Sequence, residues 1–417
     1  MSQYTKITQQ SWFSRLGGAV KGILFGLLLF IVAFPLLFWN EGRAVERYKT
    51  LKEGEGAVVS ISSARLDPGS DGQLVHTSGR AEPHGELRDT LFNVSDNAIT
   101  LRRKVEMYQW QERTTSEERT KLGGGTETIT TYHYEKVWSE NPINSSNFAQ
   151  PAPHRNPGEM PYRSETWVSA EVTLGAYRLP QSMSERLSNF EPLPIHDLER
   201  LNLSPELRQR SQLHNGGLYL SSRGVSSPAM PEVGELHNPS NRGVSSPGMP
   251  EVGDLRITFE RIGPTDISLV ARQAGNSFEP YRTKAGGTIS LLQRGTHSAE
   301  AMFASAHQSN VTLTWMLRLG GMLLMFIGLN MILRPLAVVA DVLPPVGRLV
   351  AAGLSLVTLL LALFFSLLII ALAWLFYRPL LAIGLLAVAG AALFLTRYRV
   401  KQAPPLPEAA PGGPAAG

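Results

Sequence analysis

The chain has 417 residues, enough for two or three domains, with a formal net charge of +4 and no cysteine. The missing thiols exclude disulfides, thiolate zinc sites and cysteine nucleophiles. So small a net charge, explained largely by basic residues flanking apolar segments, gives no case for nucleic acid.

Residues 1–18 are polar, with Trp12 and Phe13 the only large apolar pair and with Lys6 and Arg15 basic. They are predicted to be a cytoplasmic N-terminal segment. Lys21 leads into an apolar run, Gly22 to Trp39, so residues 19–39 are predicted as transmembrane helix 1. The run is too long for the apolar centre of a signal peptide, and Phe-Trp-Asn-Glu is a poor cleavage site, which favours an uncleaved anchor. Gly18, Gly22 and Gly26 repeat at four-residue spacing on one face. Such a face permits close helix packing, including self-association.

Residues 40–314 read as a large β-rich domain. After Asn40-Glu41-Gly42-Arg43 the pattern becomes short β-branched segments, first at Gly56–Ser63. Ile99–Arg113 and the period-two stretch Glu127–Trp138 predict a long β-hairpin whose tip holds Gly123-Gly124-Gly125. No Gly-Lys-Ser/Thr follows those glycines, so they do not form a phosphate cradle. Further strands are predicted at Trp167–Leu174, Leu255–Arg261, Asp266–Arg272 and Thr288–Gln293. Short helices are predicted to start at Ser182, by its capping-box spacing, and at Pro205. His297–Ala306 looks helical and leads into the next span. Within residues 223–255, Arg223-GVSSPAMPEVGEL recurs as Arg242-GVSSPGMPEVGDL. Two Pro- and Ser-rich copies are too few for a solenoid, so this is a duplicated surface loop.

Three more apolar runs follow. They predict transmembrane helices 2 (315–333), 3 (349–376) and 4 (380–396), joined by a cytoplasmic interfacial loop (334–348) and followed by a disordered Pro/Ala/Gly tail (397–417). Arg318 is the one charge inside these runs. Near a helix end it has two explanations: snorkelling to the headgroups, which is the favoured one, or a partner inside the bundle. Tyr377-Arg378-Pro379 separates the last two spans and predicts a tight hairpin, with Pro379 breaking the helix. Basic residues cluster before span one, in the loop after span two and after span four. Trp39, Trp315, Trp374 and Tyr377 fall at the opposite ends. Both signals put the two termini in the cytoplasm and residues 41–314 on the far side, periplasmic or luminal. The fold class is therefore an α+β membrane protein: four transmembrane α-helices, one N-terminal and three C-terminal, with the β-rich domain inserted between spans one and two.

The nine histidines are scattered, and there is no His-Glu-x-x-His, Gly-x-Ser-x-Gly or strand-linked Gly-x-Gly-x-x-Gly. No catalytic residue, metal site or cofactor is predicted. Instead, the chain resembles the LUMA-type family of four-span membrane proteins. The resemblance rests on Phe38-Trp-Asn-Glu-Gly-Arg43, Val105-Glu-Met-Tyr-Gln-Trp110, Trp138-Ser-Glu140, Asn144-Ser145, Phe148, His154, Asn156-Pro157, Val252-Gly-Asp-Leu-Arg256, Gly328-Leu-Asn330 and Trp374-Leu-Phe-Tyr-Arg-Pro-Leu380. It implies a non-enzymatic scaffold that self-associates and holds other membrane proteins. Emerin- and lamin-type partners are implied only in a eukaryotic nuclear envelope or endoplasmic reticulum; a bacterial member would sit in the inner membrane. Gly18, Gly22, Gly26, Trp39, Trp315, Arg318, Trp374, Tyr377, Arg378 and Pro379 then serve membrane lipid anchoring and helix packing. A channel or transporter lined by Arg318, Asn330 and the glycine face, and a membrane-bound enzyme acting on lipid or envelope substrates, are the alternatives.

Overall fold

The computed structural model describes residues 2–222 and 245–380, with scattered positions between 383 and 394. Its contacts divide into two compact units. The first comprises residues 1–18, 47–310 and 335–350; the second comprises 19–46, 311–334 and 351–417.

The first unit is built on two antiparallel sheets. In the larger, β1 (Ser2–Gln10), β7 (Thr126–Ser139), β6 (Thr100–Thr120), β14 (Leu255–Ile262), β13 (Gly217–Leu220) and β12 (Ser211–His214) lie side by side in that order. β11 (Glu191–Leu193) also pairs with β14, and β8 (Glu165–Val168) with β6. The smaller sheet runs β10 (Tyr177–Leu179), β9 (Val172–Leu174), β3 (Leu74–Pro83), β15 (Thr265–Ala274), β16 (Ser277–Glu279). β19 (Leu291–Arg294) flanks β15, and β2 (Val59–Ser60) runs parallel to β3. Two small ladders join β4 (Leu87–Asp89) to β5 (Val94–Asp96) and β17 (Tyr281–Arg282) to β18 (Thr288–Ile289).

Alternation along the strands decides where the cores sit. On β6, Leu101, Val105 and Met107 are buried with Leu218, Leu255, Ile257 and Phe259. On the smaller sheet, Val75, Leu174, Tyr177, Ile267 and Leu269 form a second core, closed partly by Met183 of the short α2 (Gln181–Ser184). Burial of this kind contributes about 1.5–3 kcal/mol per large apolar side chain. A buried Arg103–Asp89 pair at 2.6 Å, with Glu165 at 3.0 Å on the same guanidinium, fastens β6 to β4 and β8.

Three long helices complete the described chain: α1 (Trp12–Ala57), α4 (Ala299–Ala340) and α5 (Pro344–Tyr377), alongside the short α3 (Pro205–Gln209). All three have a window long and apolar enough to cross a membrane. Each overruns the span predicted for it. α1 continues past Arg43 because Ala44-Val-Glu-Arg-Tyr-Lys-Thr-Leu-Lys-Glu is made of good helix formers and buries Val45 and Leu51. The strand predicted from Gly56 accordingly shrinks to Val59–Ser60. The helix predicted to run from Ser182 to about Phe190 is a single turn. Within residues 1–18, Ser2–Gln10 is the edge strand of the larger sheet, an element the sequence did not predict, paired with β7 from Ser2↔Tyr134 to Gln10↔Thr126. The loop 334–348 is mostly helical, and its Asp341 pairs with Arg15 at 2.6 Å. The first copy of the duplicated loop, most of the predicted fourth span and the tail lie outside the described residues.

Candidate functional site: a buried charge cluster among the helices

Among the described residues the second unit draws on three long helices, α1, α4 and α5, and its apolar centre is small. Ala33 and Leu37 of α1 meet Met325 of α4 and Ala362 of α5, with Phe30, Phe34 and Phe365 around them. Small residues set how closely the backbones approach. A Cβ built on Gly26 would lie 2.7 Å from the carbonyl oxygen of Gly328, and one on Gly328 would lie 2.7 Å from that of Gly26. A Cβ on Gly321 would meet the Leu37 side chain at 2.5 Å, so that side chain would have to shift.

At one end of this packing the chain buries a carboxylate. Glu41 is fully buried one residue after Asn40 and two after Trp39. Its Oε1 accepts from Arg318 Nε at 2.7 Å and its Oε2 from Arg318 Nη2 at 2.8 Å, a two-pronged ion pair between α1 and α4. Trp374 of α5 donates its indole N–H to the same Oε2 at 2.8 Å. The guanidinium, only 14% exposed, lies 4.8 Å from the ring centre of Trp315 and 5.8 Å from that of Trp374. An unpaired charge in such a place would be costly; here fork geometry, an extra donor and two aromatic faces compensate for lost water. Beside it, buried Asn40 donates to the carbonyl of Thr314 at 3.1 Å, and Arg43 donates to Asn40 Oδ1 and to Thr314 Oγ1.

Of the residues singled out from sequence, the structure brings Arg318, Trp315 and Trp374 together. Arg318 has the second of its two explanations, a partner inside the bundle. Tyr377 packs where Gly42 leaves room, since a Cβ on Gly42 would lie 2.6 Å from the phenol ring, and Phe38 meets Phe376 edge-on and Tyr377 at a tilt. Arg378 closes α5, its amide donating to Trp374 O, and Pro379 follows. Trp39 and Trp315 are exposed. Within the glycine series, Gly26 sits in the contact with α4. A Cβ on Gly22 would meet Met331 at an ordinary 3.6 Å, and one on Gly18 would meet nothing within 4 Å. Asn330 turns its amide back onto the Phe326 carbonyl of its own helix.

Glu41 and Asn40 were not among the predicted site residues, although a signal for them existed. Glu41 follows its apolar run as closely as Arg318 follows the start of another, and both stand within three residues of an interface tryptophan.

Two further motif positions act in the first unit. Asn156 behaves as a short strand: its Oδ1 accepts from Trp110 N–H at 2.7 Å and its Nδ2 donates to Trp110 O at 2.9 Å, sealing the outer edge of β6. Asp254, fully buried, accepts from the Tyr219 hydroxyl, Ser222 N–H and Glu251 N–H. Burial pushes the Asp254 carboxyl up, but these donors outweigh it and hold its pKa below the ordinary value. Burial and the same bond push the Tyr219 phenol up. Among the described residues, no group of three or more His, Asp or Glu side chains is placed to hold a metal ion.

Apolar helices pinned to each other by one internal charge clasp, together with a sheet-rich unit, define an integral membrane protein. The chain belongs to the family described as Transmembrane protein 43, whose model matches residues 107–379; this is the LUMA-type family whose motifs it carries. It is 34% identical to Transmembrane protein 43 of Rattus norvegicus over 403 residues, covering 95% of this chain and 96% of that one. Identity is 33% to the Homo sapiens protein over 395 residues, 94% of each chain. The Drosophila melanogaster homolog is 30% identical over 387 residues, 90% of this chain and 94% of that one. No solved structure matches the chain.

Proposed function

We propose that this protein is a non-enzymatic membrane scaffold that self-associates and organises membrane protein complexes through its large sheet-rich domain. The observation that carries the reading is the clasp at Glu41. Arg318 is spent on Glu41, Asn330 on the Phe326 carbonyl of its own helix and on Ser355 of α5, and Gly26 on Gly328, so the groups that would line a path through the helices are consumed inside the fold. A pore or transport route needs such groups free; a rigid anchor does not.

The threading that goes with this reading puts both termini in the cytoplasm and the domain on the far side. The Arg15–Asp341 pair supports placing the N-terminal segment and the 334–348 loop on one side. Within the first unit the tip of the β6–β7 hairpin meets these same two segments. Gly124 O accepts from Arg15 at 2.6 Å, Gly123 N–H donates to Val342 O, and Trp12 donates to Val338 O. The ribbon of β1, β7 and β6 thus leads from the body of the larger sheet to Arg15 and Val342. Its nine shared rows, at about 3.4 Å each, cover about 30 Å. Chemical crosslinking in native membranes tests the function. Multimers with co-purifying membrane proteins are expected, and monomer alone at every crosslinker length overturns the proposal.

A further inference from the structure

The distal ribbon is a sheet without a core. Between the rows Ser2–Tyr134–Glu112 and Gln10–Thr126–Thr120, β1 and the end of β6 flank β7 in continuous register. From Gln3 to Gln10, and from Arg113 to Arg119, every residue of the two outer strands is exposed. A three-stranded ribbon with no buried face is marginal alone.

Both edges of this ribbon are open among the described residues. The outward amides of β6 are the even-numbered ones. Tyr108 bonds Asp254 O on that side and Trp110 bonds Asn156, but past Trp110 the edge meets no strand. Glu112, Thr114, Ser116 and Glu118 therefore aim N–H and C=O groups outward. β1 is the last strand in the order on the other flank. Its even residues face β7, so Gln3, Thr5, Ile7 and Gln9 face outward.

The two edges fit each other. β1 and β6 both run antiparallel to β7, so they are parallel to one another and matched in length. In a parallel pair, a residue bonding outward sits opposite one whose own groups point away, and bonds that residue's two neighbours. Ser116 opposite Lys6 of another copy would bond Thr5 C=O and Ile7 N–H, and a stagger of two residues keeps the same parity. Charge selects this pairing. β1 carries Lys6 and no acid, whereas Glu112–Thr120 carries three acids and two arginines. β1 against β1 would set Lys6 near Lys6, and β6 against β6 would bring Glu117 and Glu118 together.

We propose that the outer edge of β6 from Glu112 to Thr120 is an assembly surface that takes β1 of a second copy of this chain, repeating from copy to copy as a head-to-tail contact. The proposal rests on the scaffold reading and supplies its interface. Because the chain has no cysteine, the test is clean. Lys6→Cys is combined in turn with Thr114→Cys, Ser116→Cys or Glu118→Cys, and membranes are oxidised with copper phenanthroline. Within one copy β7 separates the two strands by about 9–10 Å, beyond the Cα reach of a disulfide, so any bond must join two copies. At least one double variant is expected to give a ladder of dimers, trimers and higher species that reductant collapses, while single variants stay monomeric. If no double variant crosslinks although native mass spectrometry of the same samples shows an oligomer, the edge is not the interface and the scaffold survives. A dimer from Ser116→Cys alone means two β6 edges meet and overturns the proposal. Monomer in both assays removes the scaffold reading as well.

Discussion

The two halves of β6 obey different rules. Up to Trp110 the strand has partners on both edges and alternates buried with half-buried side chains, and residues 140–163 close its last open positions through Asn156. From Arg113 on, the same strand carries Thr, Ser, Glu and Arg exposed on both faces, with one edge bare. The proximal half is finished by its own chain. Among the described residues the distal half is held by β7 and by the tip contacts to Arg15 and Val342. An element that stays regular over 21 residues without a core under half of them is where the proposed assembly would add support from outside, in contrast to the folded interior of the proximal half.

The largest effect is expected away from the strand, at the clasp. Glu41→Ala leaves the Arg318 guanidinium and the Trp374 N–H unpaired, and should cost about 3–5 kcal/mol in reversible unfolding from detergent micelles. Arg318→Ala should cost about as much, and the double variant less than the sum of the two. Gly26→Val forces α1 away from α4 and should cost about 1–3 kcal/mol in the same assay. Gly18→Val is expected to be neutral. Asn156→Ala strips two bonds from Trp110 and a third from the Ile143 carbonyl. It should cost about 1–3 kcal/mol and raise amide exchange at Trp110, which would make the proximal edge resemble the distal one.

Asp254 gives a pH dependence. Its carboxyl is held below the ordinary value in the folded protein, so its contribution is present above the normal carboxylate range and is lost as pH falls through the folded-state pKa. Melting temperature followed downward from neutral pH should therefore fall less in Asp254→Asn than in the parent, because the variant has no such group to protonate. Only a small effect on stability is expected from Ser116→Pro. The lost N–H points outward, so the ladder with β7 keeps its bonds, yet the oligomer seen by native mass spectrometry should shrink.

How much of this was legible in the sequence follows from what each feature depends on. Spans one to three need only composition, and the hairpin needs only alternation, so both were readable. Helix ends were not: Ala44–Glu53 suits a helix as well as the sequence before it, and only the burial of Val45 and Leu51 carries α1 onward. β1 was invisible because Ser-Gln-Tyr-Thr-Lys-Ile-Thr-Gln-Gln has no apolar face for a period-two test to find. The partner of Arg318 lies 277 residues away, and no local pattern reaches that far. The motif residues His154 and Asn156 read as loop. Their roles, a ring stacked 3.7 Å from Tyr134 and a side chain standing in for a strand, exist only once the hairpin has formed.

Amide hydrogen exchange on the assembled protein in lipid nanodiscs, compared with the same protein dissociated to monomer, tests the central contrast most directly. Tyr108 and Trp110 should be protected in both states. Thr114, Ser116 and Glu118 should be protected only in the assembly, losing that protection on dissociation. Free exchange at those three amides in the intact assembly would contradict the account.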